Sequence, residues 1–143
     1  MAPSTSYKPV YKFSQRGICR VEFLDNEFYF FGHKPDKLPV IVQPKDMADL
    51  CAYISTTKQK AENTFQELLK TPDMPDQTVE SVVISKVGND EIRLEVQTFE
   101  GKVFTWLKLF SYRNGERQPR QGQVLFNDID AATLKEFYLK CTQ

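Results

Sequence analysis

The sequence predicts an α+β protein built as two ββββα repeats. Each repeat is a curved antiparallel sheet followed by a helix, and the helices pack together as an internal pseudo-dimer. Three observations carry this reading. Residues 101–112 (GKVFTWLKLFSY) follow a Glu100-Gly101 turn and alternate with period two, as strand side chains on opposite faces do. The C-terminal half holds four strand-like segments and then a stretch with helical spacing. The N-terminal half is a weaker copy in the same order. Residues 21–31 align with 96–106 at an offset of 75, and residues 40–54 with 124–138 at an offset of 84. The difference falls between the third and fourth strands, where loop length varies most freely. One domain over residues 1–143 is expected, with repeats at 8–70 and 78–143 joined by a linker at 71–77.

Along the chain, residues 11–14 form the first strand. Residues 18–24 and 27–31 form a hairpin across Asp25-Asn26, a tight-turn pair. Residues 40–42 are a short strand. Pro44 suits the first turn of a helix carrying Met47, Leu50, Cys51 and Ile54. The apolar spacing continues through Ala61, Phe65 and Leu68, which makes this helix long. TPDMPDQ (71–77) is the linker. Residues 81–87 are β-branched and strand-like, and Gly88-Asn89-Asp90 is turn chemistry. Residues 91–99 alternate, with Ile92, Leu94 and Val96 on the core side. The strand from Lys102 follows, then a polar, Gly/Pro-punctuated loop at 113–122 and a short strand at 123–126. Asn127 or Asp128 caps a last helix with Leu134, Phe137, Tyr138 and Cys141 at helical spacing.

Composition narrows the function. A chain of 143 residues with 13% aromatics, 11 of them Phe, has ample material for one core. No apolar run reaches the ~18 residues of a membrane span, and MAPSTSYKP has no apolar signal core. Cys19, Cys51 and Cys141 are odd in number and far apart, without metal spacing or a redox pair. An intracellular setting, nuclear or cytoplasmic, is expected. His33 is the only histidine and lies in the loop 32–39. A Gly-rich phosphate loop, a nucleophile elbow and C-x-x-C are all missing. Asp128 and Asp130 read as capping residues. The expectation is therefore no catalytic residues, no metal and no cofactor, and a protein that is not an enzyme.

The formal net charge is zero, from 19 Lys+Arg and 19 Asp+Glu, which argues against a strongly electrostatic duplex-DNA binder. The distribution is uneven. Between residues 101 and 127, five cations (Lys102, Lys108, Arg113, Arg117, Arg120) stand against one anion, Glu116, a local charge of +4. The strand at 102–112 turns Val103, Thr105, Leu107, Leu109 and Ser111 to the core. Its other face carries Lys102, Phe104, Trp106, Lys108, Phe110 and Tyr112. Cations for phosphates interleaved with rings for bases are what a single nucleic-acid strand needs. In the first half, Arg16 and Arg20 lie on or near the second strand, and both faces of the third are aromatic. Phe28 and Phe30 share one face, and Tyr29 and Phe31 share the other. One face must be core, because the helix after the fourth strand needs a surface to pack on. The other is bare unless a partner or ligand covers it. Trp106, Phe104, Phe110, Tyr29 and Phe31 are the candidate stacking residues. Lys102, Lys108, Arg113, Arg117, Arg120, Arg20 and Arg16 are the candidate phosphate contacts.

QTFEGKV at the hairpin, KVFTWLKLF on the strand, NGERQPRQG after it and QVLFNDIDAATLKEF leading into the helix follow one another within residues 96–139. In order and spacing they resemble the single-strand-binding core of the positive cofactor 4 family of transcriptional coactivators. The resemblance covers about a third of the chain. It implies a curved four-stranded sheet followed by a helix, two such units paired, and melted DNA held across the sheets by aromatics and cations. Whirly and Pur-alpha proteins are similar in placing two such units in one chain. Phe99, Lys102 and Lys108 match that family's hairpin aromatic and strand cations, whereas Gln97 and Glu100 stand where it usually carries basic residues. The function expected is sequence-tolerant binding of single-stranded DNA or RNA in support of transcription or replication. That machinery and a second copy of the chain are the candidate partners. The alternative is a protein-interaction or dimerisation module in a transcription complex, its aromatic faces covered by a partner and its cations a solvated rim. The zero net charge favours that alternative.

Overall fold

Four strands, a helix, four strands and a second helix follow one another along the chain. The computed structural model describes residues 9–13, 19–34 and 38–143, apart from the side chains of Arg113 and residues 117–122. Strands β1 (Val10–Lys12), β2 (Arg20–Leu24), β3 (Glu27–Phe31) and β4 (Val40–Val42) precede helix α1 (Pro44–Lys70). Strands β5 (Gln77–Val87), β6 (Asp90–Phe99), β7 (Lys102–Arg113) and β8 (Glu116–Leu125) precede helix α2 (Ala131–Thr142). The strands form two antiparallel four-stranded sheets in sequential order: sheet A from β1 to β4 and sheet B from β5 to β8.

Tight turns set the register. Asp25 and Asn26 both have positive φ, as do Glu100 and Gly101, and Asn114 and Gly115. A two-residue hairpin turn whose twist matches the strands needs this left-handed pair. The third turn corrects the expected loop at 113–122. Asn114-Gly115 closes a hairpin, and the polar segment after it is most of β8. Strand pairing with β7 satisfies a backbone that the polar composition had assigned to solvent. The pairing is irregular: from Gln123 to Pro119, β8 covers four residues while β7 moves two, from Lys108 to Phe110.

α1 buries Met47, Leu50, Ile54, Thr57, Thr64 and Leu68, steps of three, four and seven that keep one stripe inward. Thr57 and Thr64 lie on this stripe where the sequence pointed to Phe65. Their hydroxyls donate to carbonyls four residues back, Thr57 to Tyr53 at 2.8 Å and Thr64 to Lys60 at 2.8 Å. A satisfied hydroxyl is buried cheaply. Phe65 falls one position off the stripe and is 51% exposed. α2 is capped by Asp130, whose carboxylate accepts from the Thr133 amide at 3.0 Å. The expected cap Asn127 instead bridges strand ends, accepting from the Thr105 amide at 2.7 Å.

α1 packs across β5, β6 and β7 and against α2, so the first helix lies on the second sheet. α2 sets Phe137 against Tyr11 and Phe28, and Tyr138 against Phe28, on sheet A. Each sheet therefore receives its aromatic or aliphatic cover from the helix of the other half, not from the helix that follows it in sequence. Val21, Phe28, Phe30, Met47, Leu94, Leu107, Val124 and Leu134 belong to one continuous core cluster drawn from both sheets and both helices. The sheets meet where β4 approaches β7 and β8. A Cβ on Gly32 at this seam would sit 3.0 Å from the Gln123 carbonyl oxygen. Among the described residues, no helix is long and apolar enough to cross a membrane.

Urea melts test this packing. Leu107→Ala is expected to destabilise the fold by about 2–5 kcal/mol through the cavity it leaves. Gly32→Ala should cost roughly 1–3 kcal/mol by overpacking. Phe65→Ser, off the stripe, should change stability by less than about 0.5 kcal/mol.

Candidate nucleic-acid interface

α1 covers one face of sheet B through Ile92, Leu94 and Leu107. The cross-strand register arranges the opposite face in rungs. Thr78, Gln97 and Phe104 make one rung. Ser81, Glu95, Trp106 and Leu125 make the next, then Val83, Arg93, Lys108 and Gln123. Phe99 and Lys102 close the hairpin end.

At that end, Phe99, Phe104 and Trp106 border an open cleft of about 650 Å³, with Thr78, Gln97 and Gln123 as polar lining. Phe99 is 49% exposed, and Phe104 and Trp106 are half-buried. The Phe104 and Trp106 rings lie 6.1 Å apart at 34°. The linker forms one wall of the cleft. Asp76 accepts from the Glu100 amide at 2.8 Å, and the Thr98 hydroxyl donates to the Pro75 carbonyl at 2.8 Å. Lys102 is exposed beside the turn.

From the cleft wall at Thr78 and Gln97 onward, the same face is a connected polar network. Arg93 donates to Glu91 at 2.5 Å and to Ser81 at 2.9 Å, and Tyr112 donates to Glu91 at 3.0 Å. Ser81 donates to Glu95 at 2.8 Å. Lys108 lies 3.5 Å from Glu95 and donates to the Gln97 carbonyl oxygen at 3.1 Å. Gln97 in turn donates to Thr78 at 3.0 Å. Glu91 and Glu95 are buried although they share the outward face, because strands flank β6 on both sides. Burial alone raises the Glu91 carboxyl pKa. Its hydrogen bonds from Arg93 and Tyr112, with the charges of Arg93 and Lys86, outweigh that and hold it below the usual range.

Sheet A presents a smaller counterpart. Arg20 faces Phe31 across β2 and β3, and Glu22 faces Tyr29. The Arg20 guanidinium sits 4.3 Å above the Phe31 ring and donates to Glu22 at 2.6 Å. The Tyr29 hydroxyl donates to Glu27 at 3.3 Å. Both Tyr29 and Phe31 are half-buried.

The candidate residues thus separate. Phe99, Lys102, Phe104 and Trp106 come together at one end of sheet B. Phe110 departs from its expected place: it is only 5% exposed, flanked in the ladder by Glu91 and Pro119 beside the β8 irregularity, and offers no open ring face. Lys108 and Arg20 share their faces with carboxylates that bind them. Arg16 lies outside the described residues, as do the side chains of Arg113, Arg117 and Arg120. Sequence reasoning missed Thr78 and Gln123 as cleft lining, since their place depends on pairing across strands. It also missed the Glu91 and Glu95 network, although strand alternation already set Glu95 beside Gln97.

Cys19 lies 3.6 Å from His33 Nε2, but burial, with the Asp128 charge adding to it, pushes the thiol pKa up and keeps it protonated. Among the described residues, no group of three or more His, Cys, Asp or Glu is placed to hold a metal ion. Comparison with protein-family models and with curated proteins finds no match to this chain.

Acid melts probe the network. A carboxylate with a lowered folded pKa stabilises above its unfolded pKa, and that stabilisation is lost as pH falls through the folded value. Wild-type protein is expected to lose stability more steeply than Glu91→Gln as pH drops from about 5 towards 3. Parallel acid curves would show that Glu91 gains nothing from Arg93 and Tyr112.

Proposed function

We propose that the outer face of sheet B binds unpaired bases of single-stranded DNA or RNA, without sequence preference. The observation that carries this reading is the cleft at the hairpin end. Three aromatic rings border it on a sheet face that neither α1 nor α2 covers, with Lys102 beside them and amide and hydroxyl groups along its wall. Each stacked base is worth on the order of 1–3 kcal/mol, so two or three rings give useful affinity on a neutral protein. The cellular setting that fits is intracellular, nuclear or cytoplasmic, in support of transcription or replication.

The same proposal treats the chain as two ββββα repeats docked as an internal pseudo-dimer. The hairpin registers support it: Arg20 pairs with Phe31 as Glu95 pairs with Trp106, and Glu22 with Tyr29 as Gln97 with Phe104. Every member of these pairs is displaced by the offset of 75 read from the sequence. The exchange of helices between halves supports it too. The fourth strands follow less closely, since Ile41 faces Tyr29 whereas Leu125 faces Trp106. On this reading the order of elements matches what the likeness to the positive cofactor 4 family implies for each half.

A second reading has its own observation. Arg20, Arg93 and Lys108 each have a carboxylate partner, as the cations of a protein-interaction or dimerisation module in a transcription complex would.

Titration with oligo-dT and with the matching duplex separates the two. Single-strand binding is expected to be the tighter, with quenching of the one tryptophan as a base stacks on it. Trp106→Ala should weaken single-strand binding by about 1–3 kcal/mol while the fold persists. Equal or tighter duplex binding, or an unresponsive Trp106, would transfer the aromatic face to a protein partner.

A second titration addresses the arginines of the β7–β8 hairpin. Replacing Arg113, Arg117 and Arg120 together by Ala should flatten the salt dependence of oligo-dT binding by roughly 0.7 of a log–log unit per lost phosphate contact. An unchanged slope would remove this hairpin from the phosphate path.

A further inference from the structure

On the outer face of sheet B, the polar cross-strand network does more than solvate the strands. Lys108 lies one rung from Trp106 and would be the natural phosphate contact for a base stacked there. Its ammonium group is instead 3.5 Å from Glu95 Oε1 and donates to Gln97 Oε1 at 3.1 Å. Glu95 is rigidly held. Its side chain is 5% exposed, and Ser81 donates to its other oxygen at 2.8 Å. Ser81 is itself fixed by Arg93 at 2.9 Å. The Lys108 side chain is 17% exposed, and a phosphate that reaches its ammonium group finds the Glu95 carboxylate already beside it.

Resting on the single-strand reading above, we infer that Glu95 limits phosphate contact on this face: it neutralises Lys108, so that strands are held there by their bases and not by their backbone. A phosphate approaching Lys108 meets the Glu95 charge a few ångströms behind it. At that range and partial burial, like-charge repulsion cancels most of the attraction of the ammonium group. The ligand class this selects is an unpaired strand with accessible bases, in preference to polyanions in general. Duplex DNA and heparin-like chains gain little from Lys108 and Arg93, whose charges are already paired. The formal charge of zero is then part of the binding device.

Glu95→Gln tests it. The substitution keeps size and shape. With the amide flipped, its oxygen accepts from Lys108 and Gln97 and its NH₂ donates to Ser81. Relative to wild type, the slope of log affinity for oligo-dT against log salt is expected to steepen by about 0.7, one phosphate contact on a single strand. Affinity at low salt should rise severalfold, and heparin should compete better. Glu95→Gln/Lys108→Met should return the slope to the wild-type value. Lys108→Met alone, in the presence of Glu95, should leave the slope unchanged, and this arm stands even if Glu95→Gln unfolds. A wild-type chain that binds oligo-dT while Glu95→Gln keeps the wild-type slope overturns the inference alone, as does a flattened slope in Lys108→Met. A wild-type chain that binds no oligo-dT at any salt overturns the single-strand reading and this inference with it.

Discussion

Two sheets present four faces, and two helices cover only two of them. Everything else in the molecule follows from that shortage of cover. A four-stranded sheet must bury one face to be stable, and here the burial is reciprocal, α1 on sheet B and α2 on sheet A. Leu94, Leu107 and Val124 on one side and Phe28 and Phe30 on the other join a single core. The two remaining faces must then meet water or a ligand on their own terms.

Most of that open surface has been made compatible with water by pairing charges. Arg20 with Glu22, Arg93 with Glu91 and Lys108 with Glu95 are cross-strand or next-but-one neighbours on outward faces. What they do is keep cations from presenting free charge. The hairpin end of sheet B breaks the pattern. Phe99, Phe104 and Trp106 stand together there and, among the described residues, α1 lies on the opposite face of the sheet and α2 on sheet A. Apolar rings in one open patch call for a contact that the described residues do not make.

Much of this was legible in the sequence, for local reasons. Period-two alternation assigned Leu107 inward and Trp106 outward, and the Asp25-Asn26 and Glu100-Gly101 turns fixed two hairpins. What stayed hidden depended on neighbours distant in sequence. Thr57 and Thr64 look polar until their hydroxyls are seen bonded within the helix. Phe110 shares the outward face with Trp106, but it is buried between β6 and β8. Asn114-Gly115 was a hairpin signal that the polar residues after it masked. Lys108 reads as a free cation along its own strand and proves to be paired only when β6 is set beside it.

The central claim is that bases sit on the hairpin end of sheet B. Photo-crosslinking a bromodeoxyuridine-substituted single strand to the protein, followed by peptide mapping, tests it most directly. The account predicts adducts within residues 99–106, centred on Trp106 and Phe104, and their loss when unmodified oligo-dT competes. Adducts concentrated on α1 or on sheet A, with the 99–106 peptide unmodified, would contradict it.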